Sequence, residues 1–134
     1  MNIKVISKES TLFEGMPRVY DVVDKNLDIP CPKYFISYNQ GNPFISEEVP
    51  QKFRKYMIYH ELYEFEKFDP KEEDSCLESL RKELAKVPYY NLQEHVNFRK
   101  DTFRHLIEFV REYDKDSFKK INRSLNYLEN VRIG

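Results

Sequence analysis

The sequence has 134 residues, which is enough for one domain with a single core and too few for two. Charged residues make up 34% and hydrophobic residues 40%, and the formal net charge is -1. A near-neutral, well-solvated chain lacks the excess of positive charge that nucleic-acid or membrane-surface binding requires. No apolar run approaches the roughly 18 residues of a membrane span, and the first residues show no signal-type apolar stretch. We therefore expect a cytoplasmic protein with no nucleic-acid or membrane partner.

The N-terminal third carries short strand signals and one helical signal. Residues 3–7 (IKVIS) are β-branched and predict an edge strand, and apolar spacing predicts a helix over 17–27. Residues 34–38 and 43–46 flank the turn signal NQGN, which predicts a hairpin-like pair of strands.

Helical patterns dominate after Pro50. The spacing predicts helices over 51–68, 71–86 and 91–113, and a fourth that starts after Asp116 or Ser117. Taken together, these strands and helices predict one α+β domain over 1–134. In it a small N-terminal sheet packs on a mostly helical domain with a central buried helix. Neither Cys31 nor Cys76 belongs to a Cys-x-x-Cys pair, so we interpret both as structural thiols.

The last helix places its apolar residues at near-heptad spacing. These residues are Phe118, Ile121, Leu125 and Leu128. Such a face is typical of helices that pair with a second chain, so the pattern predicts a homodimer through the C-terminal helix.

The helix predicted over 51–68 has a glutamate on its buried side. At about 100° per residue, Phe53, Met57, His60 and Glu64 fall within a sector of about 60°. A second apolar side is formed by Ile58, Leu62 and Phe65. A carboxylate in the middle of a buried face is costly unless it is paired or binds a metal, so Glu64 requires a partner.

His60 and Glu64 stand four residues apart, which lets two side chains on one helical face hold the same metal ion. The segment 60-HELYE-64 resembles the H-E-x-x-H helix of the zincin metallopeptidases, with glutamate in the last place. The likeness extends over residues 17–110, where a helix and a short sheet precede a long helix of the form apolar-x-x-HE-apolar-x-x. The resemblance implies a zinc ion bound by His60 and Glu64, with Glu61 as the catalytic base.

Two later histidines are candidates for the third metal ligand. On the helix over 91–113, His95 lies at the edge of the apolar sector, whereas His105 lies about 140° away from Leu92. We therefore favour His95 as the third ligand. Arg99 also lies inside the apolar sector and is a candidate partner for Glu64 or for a substrate carboxylate.

Two functions from different classes follow from these patterns. The first is a zinc-dependent hydrolase acting on a peptide or amide bond of a peptide or protein substrate, in which Glu61 accepts a proton from water. The second is a noncatalytic zincin-like or helical domain that binds another protein. In that second case His60 is a core histidine hydrogen-bonded to Glu64 or to a tyrosine hydroxyl.

Overall fold

Four helices make up most of the part of the chain that the structure describes. The computed structural model describes residues 4–6, 34, 36–39, 42–69, 72–113 and 115–133. The helices are α1 (Gln51–Lys67), α2 (Ser75–Lys86), α3 (Tyr89–Tyr113) and α4 (Lys115–Asn130). The helix predicted over 17–27 lies outside the described residues. None of the described helices combines the length and the apolarity that a membrane span requires.

Three short strands precede α1 among the described residues: β1 (Lys4–Ile6), β2 (Ile36–Asn39) and β3 (Asn42–Ser46). β3 pairs in parallel with β1 and in antiparallel with β2, so that Ile45 stands opposite both Val5 and Ile36. Ile45 is fully buried against α1, whereas Val5 is exposed. The prediction of a mostly helical domain is confirmed. The finer prediction of an α+β class is not supported, because helices account for most of the described residues and the three strands have only three to five residues each.

Prolines set the helix boundaries close to where the sequence predicts them. Pro50 occupies the N-cap of α1, and α1 ends at Lys67 with Phe68 as its C-cap, two residues before Pro70 in the sequence. A proline disfavours helical backbone at the residue before it, and α2 accordingly ends at Lys86, with Val87 as its extended C-cap directly before Pro88. α2 begins at Ser75, four residues later than predicted, because residues 72–74 form a turn instead.

α1 is one continuous helix that buries the face predicted for it. Phe53, Met57 and His60 are buried, and the first two pack with Ile45 and Val49 of the strand region. The prediction of a second apolar side is only partly correct. Of the residues on that side, Ile58 is buried, whereas Phe65 is 69% exposed among the described residues.

The apolar face of α4 packs within the same chain. Ile121, Leu125 and Leu128 are buried in a cluster with residues of α2 and α3, and Phe118 packs against it. The surface that motivated the predicted homodimer is therefore already covered. Self-association stays a prediction without that support.

Candidate metal centre

Glu83 of α2 is the centre of a buried polar cluster that joins three helices. Its Oε1 accepts a hydrogen bond from His60 Nδ1 of α1 at 2.9 Å, and its Oε2 lies 2.5 Å from His95 Nε2 of α3. Arg99 Nε of α3 lies 3.0 Å from the same oxygen, an ion pair by distance although its N–H is not aligned for a hydrogen bond. Burial raises the pKa of Glu83, but Arg99 and the two histidines outweigh burial and hold that pKa well below its ordinary value.

Helix periodicity places Glu83 on the buried face of α2. It follows Cys76 by seven residues and Leu80 by three, so it lies within about 60° of both on the buried face of α2. The sequence therefore contains a signal for Glu83 that the sequence analysis did not use: a carboxylate in register with an apolar stripe.

Arg99 is engaged with groups of its own chain. Besides the ion pair with Glu83, its Nη1 donates to Thr102 Oγ1 at 3.2 Å, and its guanidinium lies 4.6 Å from the centre of the Phe103 ring. Its predicted position on the buried face of the helix is correct. Its carboxylate partner is Glu83, however, and not Glu64 or an open position facing a substrate.

His60 lies between two carboxylates. Its Nδ1 faces Glu83, and its Nε2 lies 3.1 Å from Glu64 Oε2. Burial alone would lower the pKa of His60, but hydrogen bonds with Cys76, Glu64 and Glu83 together raise it well above its ordinary value. The raised pKa favours a form of His60 in which Nδ1 donates to Glu83 and Nε2 donates to Glu64.

The side chains of His60, Glu64 and Cys76 bring three potential ligand atoms within 4.8 Å of one another. The Nε2–Oε2 separation is 3.1 Å and the Nε2–Sγ separation is 3.8 Å. A tetrahedral zinc ion with ordinary bond lengths would require about 3.4 Å and about 3.6 Å. Both separations from His60 Nε2 therefore lie within about 0.3 Å of those that a zinc ion would require. Cys76 is the member of this group that sequence reasoning missed, because periodicity marks a buried cysteine without showing what it faces.

Polar neighbours surround the ligand atoms. Ser75 Oγ donates to Glu64 Oε1 at 3.1 Å, Lys120 Nζ lies 3.5 Å from the same oxygen, and Ser124 Oγ donates to Cys76 Sγ at 3.1 Å. Burial raises the pKa of Glu64, but His60, Lys120 and Ser75 lower it to about 2 overall. Glu64 is thus ionised and available as an anionic ligand. The ammonium group of Lys120 would compete with a metal ion for this carboxylate.

Glu61 has the electrostatic properties of a proton acceptor that works near neutral pH. Burial and the negative charge of Glu64 raise its pKa to about 7, against opposing effects of His60, Arg99 and Lys120. A carboxylate whose pKa lies near neutrality exchanges protons most effectively under ordinary conditions.

The two other histidines lie outside the ligand group. His95 does not contact the ligand group directly. The Glu83 carboxylate lies between the His95 ring and His60 and contacts both. The His105 side chain is 44% exposed and lies 3.7 Å from Asp101. Within the described residues, then, Cys76 and not a second histidine adjoins His60 and Glu64, and the role of His95 as a ligand stays a prediction.

Comparison with protein families, with characterised proteins and with solved structures finds no match for this chain. Its function is therefore argued from the site itself.

The central position of Glu83 predicts a large effect of removing its charge. Glu83→Gln leaves Arg99 as a buried cation without a counter-charge, which costs about 3–5 kcal/mol of unfolding free energy. Urea unfolding of the wild type and the variant measures this loss of unfolding free energy. Glu78→Gln on the same helix is the matched control, because the Glu78 side chain is 42% exposed and its loss should change stability by about 0.5 kcal/mol or less. Equal, small effects of both substitutions would contradict the central role of Glu83.

The raised pKa of Glu61 predicts a pH-dependent stability difference in the presence of EDTA. Below pH 4.5 both the folded and the unfolded protein carry a protonated Glu61, so Glu61→Gln should match the wild type. From pH 4.5 to about 7 only the unfolded chain ionises, so the wild type loses stability relative to the variant. The difference should reach on the order of 1–3 kcal/mol above that window.

Thermal unfolding at a series of pH values measures this difference. Glu66→Gln is the control, since Glu66 is exposed on the same helix and its effect should not change across the window. A Glu61→Gln effect that is constant from pH 4 to 8 would show that burial does not shift the pKa of Glu61.

Proposed function

We propose that this chain is a zinc-dependent hydrolase of zincin type that acts on a peptide or amide bond, with His60, Glu64 and Cys76 as the metal ligands. The observation that carries the proposal is the position of Glu83 behind His60. A metal-ligating histidine commonly donates its other ring N–H to a carboxylate, which fixes the tautomer and directs the lone pair. Here the hydrogen bond from Nδ1 to Glu83 directs Nε2 towards Glu64 and Cys76.

Three protein ligands leave a fourth tetrahedral position for water or substrate, which is typical of catalytic rather than structural zinc sites. His60 and Cys76 are buried, whereas the Glu64 side chain is 20% exposed. The open position would therefore be reached from the Glu64 side of the cluster. Zinc in such a site supplies Lewis acidity, which acidifies a water molecule and polarises a carbonyl oxygen.

Glu61 is the proposed general base. Burial and the negative charge of Glu64 raise its pKa to about 7, although the positive charge of His60 acts in the opposite direction. It accepts a proton from the attacking water and returns it to the leaving amine. A nearby divalent cation would lower the pKa of Glu61, so the carboxylate form is available when the site is loaded.

The choice of a peptide or amide substrate rests on the resemblance of 60-HELYE-64 to the zincin helix. Glu64 and a Cys76 thiolate together balance both charges of a zinc ion, so the metal is less electrophilic here than beside two neutral histidines. We therefore expect slow hydrolysis of a narrow set of substrates.

Zinc binding tests the first half of the proposal. The wild type should bind one zinc ion per chain, and EDTA should lower its melting temperature. His60→Ala should lose the metal, and Cys76→Ser should weaken binding and remove the sulfur-to-metal charge-transfer absorption of the cobalt(II) form. His105→Ala is the matched control and should bind as the wild type does. A wild type that carries no zinc and is indifferent to EDTA would refute the site.

Catalysis is tested separately from metal binding. Glu61→Gln should retain zinc, because Glu61 is not a ligand in this scheme, and should lose cleavage of a fluorogenic peptide library by at least about a hundredfold. Glu66→Gln, on the same helix, should cleave at the wild-type rate. A chain that binds zinc but cleaves no member of the library, or a Glu61→Gln variant as active as the wild type, would refute the hydrolase and favour the noncatalytic protein-binding domain.

A further inference from the structure

The two carboxylate oxygens of Glu64 have different neighbours. Oε2 lies 3.1 Å from His60 Nε2, the nitrogen that also lies 3.8 Å from Cys76 Sγ. Oε1 accepts a hydrogen bond from Ser75 Oγ at 3.1 Å and forms an ion pair with Lys120 Nζ at 3.5 Å. One oxygen therefore faces the other proposed metal ligands, while side chains of α2 and α4 hold the second oxygen.

This division matters because a carboxylate can bind a metal ion through one oxygen or through both. With His60, Cys76 and a single oxygen of Glu64 as ligands, a tetrahedral zinc ion keeps its fourth position for water or substrate. If Oε1 also bound the metal, it would occupy that position. A contact that keeps Oε1 away from the metal therefore keeps the site open for catalysis.

Lys120 comes from a face of α4 that contacts both anionic ligands. Lys120 and Ser124 are four residues apart and thus lie on the same side of the helix. Lys120 pairs with Glu64, and Ser124 Oγ donates to Cys76 Sγ at 3.1 Å. The Lys120 and Glu64 side chains are only 19% and 20% exposed, so salt and water screen this ion pair less than they screen a surface pair.

We propose that Lys120, together with Ser75, is a positioning residue that makes Glu64 bind the metal through Oε2 alone and so keeps the fourth position open. This inference rests on the proposed zinc site and adds to it a device that favours turnover over affinity. The ammonium group also draws negative charge of Glu64 away from the metal, which leaves the metal more electrophilic. Removing Lys120 should therefore have opposite effects on metal affinity and on turnover.

Three full-length proteins test the inference: the wild type, Lys120→Met and Lys119→Met. Zinc affinity is measured by competition with a chromophoric chelator, and coordination is measured by the visible absorption of the cobalt(II) forms. Lys120→Met keeps most of the side-chain length but removes the charge, so it should bind zinc on the order of tenfold more tightly than the wild type. Its cobalt(II) absorption should be weaker, because that absorption falls as the coordination number rises above four. Lys119 is exposed on α4, so Lys119→Met should match the wild type in both measurements.

Two further variants separate the positioning role from a merely structural one. Lys120→Arg retains the positive charge and should restore the wild-type affinity and absorption. Ser75→Ala removes the other donor to Oε1 and should shift both measurements in the same direction as Lys120→Met, which keeps the inference testable if Lys120→Met does not fold. In a peptide-cleavage assay, Lys120→Met should lower kcat on the order of tenfold with little change in KM.

The possible results distinguish this inference from the proposed function. Zinc binding by Lys120→Met that is no tighter than that of Lys119→Met, or an unchanged cobalt(II) absorption, would overturn the inference and leave the zinc site standing. Weaker zinc binding would also overturn it, because loss of an ordinary supporting contact lowers metal affinity. A wild type that binds no zinc would refute the proposed function and this inference together. Tighter zinc binding by Lys120→Met in a chain that cleaves no peptide would refute the hydrolase and still support the inference.

Discussion

One buried carboxylate holds three helices of this chain in a single arrangement. Glu83 is fully buried, and its negative charge is tolerated only because His60 of α1 and His95 and Arg99 of α3 surround it. His95 and Arg99 are four residues apart, so both reach Glu83 from one face of α3. Rotating α3 about its axis by one residue, about 100°, would move His95 and Arg99 away from Glu83 and leave its negative charge without these two partners. The polar cluster therefore allows only one rotation of each helix about its axis. Apolar packing alone would restrict that rotation less strictly.

The same carboxylate determines the chemistry of the candidate metal centre. It uses the Nδ1 proton of His60, so that only Nε2 faces Glu64 and Cys76. Without a metal, His60 and Glu64 form a largely buried ion pair across 3.1 Å. If zinc binds as proposed, the ion would replace the proton between them and the same atoms would become ligands. The structural interpretation of His60 thus has a proton between His60 and Glu64, and the catalytic interpretation has a metal ion there, with the same side-chain arrangement in both.

Sequence patterns predict the scaffold better than the partners within it. Pro50, Pro70 and Pro88 mark where helices begin or end, and 3.6-residue periodicity correctly places His60, His95 and Arg99 on buried faces. Periodicity describes one helix at a time, however. It cannot show that Arg99 meets Glu83 instead of Glu64, or that Cys76 adjoins His60, because those contacts depend on how helices distant in sequence pack together. The exposure of Phe65 is missed for the same reason, because an apolar stripe on one helix does not show which of its residues another element covers.

The contacts of α4 have a consequence for the order in which the chain folds. His60 and Glu83 are 23 residues apart on adjacent helices, whereas Lys120 and Ser124 reach Glu64 and Cys76 across 56 and 48 residues. Contacts over shorter loops form at a lower entropic cost and hence earlier. The α1–α2 hairpin can thus assemble its ligand atoms while they are still open to water, before α4 docks and covers them. Under the proposed function, a metal ion would enter most readily during that interval, and the docking of α4 would then slow its entry.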